Sequence, residues 1–280
     1  MAEILAIASR QLAGALGLEK REARLEARVL AAFAWDASPA WLIAHDTDPL
    51  SDTHVEAFES LLTRRLEGVP IAYLVGMREF YGRPFQVSPD TLIPRPDTEL
   101  LVELALARLP PGQTPDVLDL GTGSGCIAIT LALERPLAHV TAVDRSPAAL
   151  AIARRNAGNL NACVEFLDSD WFDALTGRRF DLIASNPPYI AAADPHLACG
   201  DLRFEPLSAL AAGQDGLDDL RRLARAARTH LKPGGTLLLE HGHDQADAVR
   251  SLLRENGIGH AENWVDLAGN PRVSGGKVSE

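Results

Sequence analysis

Hydrophobic residues recur at three- and four-residue steps from Glu3 to about Gly68: Ile4, Leu5, Leu12 and Leu16, then Leu25, Val29, Leu30 and Phe33, then Val55, Phe58, Leu61, Leu62 and Leu66. Such steps place one apolar stripe on each of several amphipathic helices. Gly17, Ser38-Pro39 and Ser51-Asp52 punctuate the run, the last as an N-cap candidate, so a small bundle of about four helices is expected. Its charges, such as Glu19-Lys20-Arg21-Glu22, form a solvated face, with a partner-binding surface as the sharper alternative. From Ile71 to Val87, aromatic and β-branched residues surround Tyr81-Gly82-Arg83-Pro84, which reads as a hairpin connector. Thr91 to Glu99 is too rich in proline for a strand or helix interior, and Leu100 to Leu109 is helical again, with Pro96 or Asp97 near its start.

From Asp116 the period alternates between strand and helix. Strands are expected at Val117–Leu120, His139–Val143, Val164–Leu167, Phe180–Ala184 and Gly235–Glu240, and helices at Cys126–Glu134, Pro147–Asn156, Leu217–Leu231 and Gln245–Leu253. His260–Leu267 and Arg272–Val278 read as a terminal hairpin. This alternation predicts an α/β fold with a largely parallel sheet covered by helices on both faces. Three parts follow: helices over residues 1–70, a hairpin linker over 71–90, and the α/β part over 91–280.

Composition narrows the function. Lys and Arg number 27 against 38 Asp and Glu, a net charge of -11 that disfavours a partner held chiefly through a polyphosphate backbone. The amino terminus, Met1-Ala2-Glu3-Ile4-Leu5, carries no basic leader, and Arg10 and Gln11 interrupt the apolar stretch after it, so a cytoplasmic protein without a membrane anchor is expected. Cys126, Cys163 and Cys199 are widely spaced and odd in number, as suits reduced thiols. His241 and His243 lack accompanying ligands at metal-binding spacing, so no metal is assigned and a lining or capping role is expected.

Three features fall at carboxyl ends of strands. Asp119-Leu120-Gly121-Thr122-Gly123-Ser124-Gly125 lies between a strand and a helix, where glycines permit a tight turn and bring a ligand against backbone amides. Asp144 ends the next strand, where a carboxylate can take two ribose hydroxyls. Ser185-Asn186-Pro187-Pro188-Tyr189 follows a buried strand. Its prolines donate no backbone hydrogen bond and hold their predecessors out of the helical region, which leaves the Asn186 carboxamide and the carbonyls of Asn186 and Pro187 free for a flat NH2 group under Tyr189. A tight Pro-Pro turn would also account for this tetrapeptide alone, whereas packing does not account for all three features together. Trp171, after the third strand, either edges an adenine or packs half-buried. Arg95, between two prolines, either enters the cleft or belongs to a plain helix-entry turn.

Together, the glycine loop, Asp144 and Asn186-Pro187-Pro188-Tyr189 resemble the class I S-adenosylmethionine-dependent methyltransferases that act on planar nitrogen. Arg78-Glu79-Phe80-Tyr81-Gly82, Thr91 to Glu99, Ser169-Asp170-Trp171-Phe172, Pro195-His196-Leu197 and Gly200 to Pro206 are similar to one family, the release-factor glutamine methyltransferases. Gly269 to Gly276 is the least typical stretch. The resemblance implies a Rossmann-like, mostly parallel seven-stranded sheet plus an amino-terminal helical substrate-recognition domain. It implies that Gly121, Thr122, Gly123, Ser124, Gly125, Asp144, Trp171 and Asn186 hold S-adenosyl-L-methionine, and that Asn186, Pro187, Pro188 and Tyr189 hold the substrate glutamine, with Asn186, Pro187 and Tyr189 catalytic. The implied partners are peptide chain release factors, methylated on the glutamine of their Gly-Gly-Gln motif by a monomeric enzyme. The alternative within this fold is a methyltransferase acting on an exocyclic nucleobase nitrogen of DNA or ribosomal RNA, against which the charge weighs. A dinucleotide-dependent dehydrogenase would use the glycine loop and Asp144 but would leave the acceptor corner unexplained.

Overall fold

In the computed structural model, which describes residues 1–279, the amino-terminal apolar stripes fold as helices α1 (Ala2–Leu16), α2 (Lys20–Ala34), α3 (Pro39–Ala44), α4 (Asp52–Leu66) and α5 (Ile71–Val75). The Ser38 and Ser51 hydroxyls cap α3 and α4, accepting from Trp41 N at 3.1 Å and His54 N at 3.3 Å. Leu12, Leu30 and Phe58 meet in the bundle core, where Ala8, Ala23, Ala27 and Ala31 let the helices approach closely. α5 occupies part of the stretch expected as a hairpin connector, because Pro70 precedes it and Gly76, at φ 71°, ends it in the left-handed region. The hairpin itself is β1 (Met77–Phe80) and β2 (Arg83–Gln86), joined through Tyr81 and Gly82 at φ 52° and 72°, the double positive φ that a two-residue hairpin turn uses.

The chain divides into two compact units, the first comprising Met1–Met77 together with Ala198–Phe204. Within it, Arg65 is only 4% exposed. Its Nε and Nη2 donate to the two Glu26 carboxylate oxygens at 2.8 and 2.9 Å, and Nη1 donates to Asp201 Oδ1 at 3.0 Å. Arg203 donates to the Glu67 carbonyl at 2.7 Å, so two side-chain bonds tie a segment distant in sequence to α4 and its end.

The second unit holds the sheet: β3 (Asp116–Leu120), β4 (His139–Asp144), β5 (Glu165–Asp168), β6 (Phe180–Ser185), β7 (Leu231–Glu240), β8 (Gly259–Val265) and β9 (Pro271–Lys277). The strand order is β5-β4-β3-β6-β7-β9-β8, parallel up to β7, with β9 antiparallel to both its neighbours. Alternate residues pack to opposite faces. Val117, Val140, Leu182 and Leu238 join a core with α6 (Thr98–Arg108), α7 (Cys126–Glu134) and α8 (Pro147–Leu160), while Leu118, Val143, Ile183 and Leu237 join one with α9 (Asp218–His230) and α10 (Ala246–Glu255). Strands buried on both faces read as continuous apolar runs, the pattern present in the sequence. The three cysteines are free, Cys126 buried and Cys163 and Cys199 exposed.

Arg65→Ala should lower the unfolding free energy of the first unit by about 3 kcal/mol, because Glu26 and Asp201 lose the cation that compensates them. Urea denaturation monitored by tryptophan fluorescence measures this, and a loss well under about 1 kcal/mol would mean that the ion pair is solvated like a surface pair.

Candidate active site

The strand order reverses its direction of growth at β3, which pairs with β4 on one side and β6 on the other. Loops leaving the carboxyl ends of β3 and β6 therefore diverge and open a crevice between them. A cleft with about 680 Å³ of empty space, its open mouth included, lies there. Its walls bring together Gly121, Gly123, Asp144, Trp171, Asn186 and Pro188. Thr122, Ser124, Gly125, Pro187 and Tyr189, also expected at the site, are not among the residues that line it.

The glycine loop folds back over β4: the Gly121 and Thr122 amides both donate to the Val143 carbonyl at 2.9 Å. Gly121 has φ 72°, and a Cβ there would stand 3.1 Å from the Trp171 ring. Gly125 has φ 85°, and its Cβ would meet Ile129 Cδ1 at 2.8 Å, so glycine here serves the packing of α7 on α8. Asn156 on α8 braces the loop from below, donating to the Ser124 carbonyl at 2.8 Å.

Asp119 is fully buried under the loop. Its Oδ2 accepts from the Thr122 hydroxyl at 2.6 Å and from Ala128 N at 3.3 Å, whereas Oδ1 has no partner among the described residues. Burial pushes its pKa up to about 7, against the pull of those hydrogen bonds. Asp144 accepts from Gly123 N at 2.8 Å and Ser146 N at 2.9 Å, one bond on each oxygen. An ionised carboxylate offers about four acceptor sites, so it retains capacity for two hydroxyls of a ligand. Burial raises the pKa of Asp144 too, opposed by the amides of Ser146 and Gly123.

Trp171 edges the cleft with φ 53°, its Nε1 anchored on Asp219 Oδ1 at 3.1 Å. Asn186 Nδ2 donates to the Thr98 hydroxyl at 3.2 Å, which leaves Oδ1 as the uncommitted end of the amide among the described residues. Tyr189 is half-buried against the apolar core of the α9 and α10 face. Burial raises its pKa, with the nearby Glu240 carboxylate adding to the effect.

Arg95 pairs with the buried Glu205 carboxylate, whose other oxygen accepts from Ile93 N at 3.0 Å, so it orders the segment entering α6. His241 is fully buried, its pKa lowered by that burial, with Nε2 at 2.6 Å from Ser274 Oγ. Among the described residues no group of His, Cys, Asp or Glu is arranged to hold a metal ion, and no helix is long and apolar enough to cross a membrane. Sequence reasoning missed Asp90, Arg145, Ser146 and Ser208, which also line the cleft, and Thr98, which holds Asn186. Of these only Ser146 carried a local signal, a serine followed by proline at a helix start.

Known proteins resemble this chain over nearly its whole length. The model of the PrmC N-terminal domain matches residues 3–76, and that of the methyltransferase small domain matches residues 96–201. A release factor glutamine methyltransferase of Bordetella pertussis is 56% identical over 90% of this chain and 94% of its own length. The chain belongs to the release factor glutamine methyltransferase family. The Escherichia coli member is 48% identical over 91% of this chain and 92% of its own. Among solved structures, a methyltransferase from Pyrococcus furiosus superposes with TM-score 0.55 at 19% identity, covering 79% of this chain and all of that one. A 16S rRNA N2 G1207 methyltransferase from T. thermophilus, in complex with AdoMet and guanosine, gives 0.52 at 23% identity, covering 72% of this chain and 49% of that one. At these identities the two speak to the fold, which is that of a class I methyltransferase. The family membership makes the protein an enzyme of the methyltransferase class.

A carboxyl raised from 3.8 to about 7 in the folded state, as Asp119 is, keeps a proton that the unfolded chain has released. Its contribution to stability is present below the unfolded pKa and is lost as pH rises toward the folded one. The unfolding free energy of Asp119→Asn relative to wild type should therefore increase from about pH 4 to about pH 7. Denaturant titrations at a series of pH values measure it, and a pH-independent difference would show that Asp119 is ionised throughout.

Proposed function

We propose that this enzyme transfers a methyl group from S-adenosyl-L-methionine to the side-chain amide nitrogen, N5, of the glutamine in the Gly-Gly-Gln motif of peptide chain release factors. The observation that carries this reading is the acceptor corner: Asn186, with its amide nitrogen engaged by Thr98 and its oxygen uncommitted, stands in the wall of the cleft that also contains Asp144 and the glycine loop. The residues fit the cofactor. Asp144 keeps acceptor capacity for two ribose hydroxyls, Gly121 clears space that a Cβ would close against Trp171, and Trp171 offers a ring edge to an adenine.

When bound, S-adenosylmethionine supplies an electrophilic methyl on a sulfonium. The protein's task is then to present a poor nucleophile, since an amide nitrogen delocalises its lone pair into the carbonyl. Asn186 Oδ1 and the Pro187 carbonyl accept the two N–H bonds and turn that lone pair toward the methyl carbon. Positioning of this kind can lower a barrier by up to about 7 to 11 kcal/mol. Methyl transfer would form the nitrogen–carbon bond as the methyl–sulfur bond breaks, the neutral thioether S-adenosylhomocysteine would leave, and the proton of the cationic, strongly acidic nitrogen would then pass to water.

In this reading residues 1–70 grip the release factor, 71–90 form a hairpin linker and 91–280 carry out methyl transfer, in a monomer working in the cytoplasm. The family name and the match of residues 3–76 to the PrmC N-terminal domain support that division. The test is peptide mass mapping of a release factor, with nucleic acid offered in parallel, after incubation with labelled cofactor. The methyl is expected on the motif's glutamine, and its appearance on a nucleobase, or its persistence after Gln→Ala, overturns the proposal. Asn186→Ala should reduce turnover at saturating substrate by about 10²-fold. Asp144→Ala should weaken cofactor binding in calorimetry. In the wild type the affinity should decline on acidification, with its midpoint above the 3.8 of an ordinary aspartate, because protonation of Asp144, whose pKa is raised by burial, removes the charged acceptor.

A further inference from the structure

We propose that Asp219 is a positioning residue of the cofactor site, holding the Trp171 indole so that the far edge of its ring stands over the glycine loop. This inference rests on the reading of Trp171 as part of the S-adenosylmethionine site. Trp171 and Gly121 line the cleft, whereas Asp219, the second residue of α9, does not. Its effect on a ligand therefore passes through the ring.

The backbone at Trp171 is held in an uncommon state. Its φ of 53° lies in the left-handed region, where a residue with a bulky side chain costs about 1 kcal/mol or more. Ser169, which is buried, offsets that cost: its hydroxyl donates to the Trp171 carbonyl at 2.9 Å and accepts from Ala174 N at 3.0 Å. Ser169 N in turn donates to the Asp144 carbonyl at 3.1 Å, so the bend is fastened to the end of β4. Two adjacent aromatic residues leave the bend for different surroundings. Phe172 is buried and stacks on His230 with ring centroids 4.5 Å apart, while Trp171 lines the cleft.

The bend fixes where the side chain starts, and a second contact fixes how the ring lies. An indole has one N–H, which donates and cannot accept, so its partner sets the sense of the ring without ambiguity. That partner is Asp219 Oδ1, 3.1 Å from Nε1. At the opposite edge of the ring, Cζ3 and Cη2 would stand 3.1 and 3.3 Å from a Cβ on Gly121. A ring turned over about its Cβ–Cγ bond would lose the carboxylate and carry that edge away from the loop. α9 is a firm support, since its Leu220, Leu223 and Ala224 are fully buried. An acid in the first turn of a helix is favourable there for its own sake, but that alone does not call for an indole N–H against it. The neighbouring tie, Arg222 Nη1 to both oxygens of Asp170 at 2.8 Å, joins exposed groups and holds the loop rather than the ring.

The test is calorimetric titration of S-adenosyl-L-methionine into the full chain carrying Asp219→Ala, Asp219→Asn, Trp171→Phe, Trp171→Ala, or Asp219→Ala and Trp171→Phe together. Asp219→Ala should raise the dissociation constant about fivefold or more, and Asp219→Asn, which keeps an acceptor for the indole, should return it to within about twofold of wild type. In the Trp171→Phe protein, whose ring has no N–H, Asp219→Ala should change the constant less than about twofold, because the interaction it removes is already absent. A residue that only stabilised α9 would give the same factor in both backgrounds, and that result overturns the proposal. If Trp171→Ala binds as the wild type does, the reading of Trp171 as part of the cofactor site fails. If Trp171→Ala weakens binding while Asp219→Ala does not, the positioning proposal alone is overturned. Should Asp219→Ala not fold, Asp219→Ser, whose side chain is one atom shorter than that of aspartate, takes its place in both backgrounds and is read in the same way.

Discussion

The cleft depends on one alignment, the level at which parallel strands end. Leu120 stands opposite Val143 on one side and Ser185 on the other, and Ser185 stands opposite Leu239. The Ser185 hydroxyl adds a bond to the Leu120 carbonyl at 2.7 Å, which pins the ends of β3 and β6 to each other. Because the register is shared, the glycine loop, Asp144 and Asn186 emerge at one height, and the Val143 carbonyl can take two amides of the loop beside it. A slip of one residue in β6 would send the Asn186 side chain to the opposite face. The bond from Ser185 to Leu120 and the close packing of both apolar faces oppose that slip, so the core helps to set the geometry of the site.

The site also concentrates buried acid. Asp119 and Glu240 are both buried, both pushed up to about 7 and each left with one unpartnered oxygen among the described residues. Asp119 fixes the loop through Thr122 and the start of α7, whereas Glu240 stands at the end of β7. These groups lower stability where they stand, as buried polar groups without full partners do. Strained or unsatisfied residues at functional sites persist when the surroundings over-determine them, and here two apolar layers and a parallel sheet do so.

Reading the sequence succeeded wherever the signal was local. The helix Cys126–Glu134 has the bounds that its apolar run and preceding glycine set, and strands such as Phe180–Ser185 stop where proline or glycine intervenes. Asp144 and the glycine loop were visible as strand ends followed by polar or glycine residues. Other features depend on partners far along the chain. Thr98 and Asn186 are 88 residues apart, and Arg95 and Glu205 are 110 apart. In sequence, Asp97-Thr98-Glu99 reads as the start of a helix, and the structure adds a buried hydroxyl to it. Likewise, nothing in Ala198–Phe204 signals that this segment packs with the amino-terminal helices, because its tie is the single buried guanidinium of Arg65 together with Arg203.

In the proposed reaction, the orientation of one amide would have a large effect on rate because of where charge develops. As a bond forms between the substrate nitrogen and the methyl carbon, positive charge grows on that nitrogen and its hydrogens become stronger donors. Acceptors already aimed at them are therefore held more tightly in the transition state than in the ground state, and only such differential binding accelerates the step. Water could offer equivalent oxygens but would have to reorient to do so. In this reading Asn186 would not, because its nitrogen is already engaged by the Thr98 hydroxyl. In the proposed reaction the acceptors would thus be held in place before the substrate arrives, by the folding of the sheet and not by the reaction.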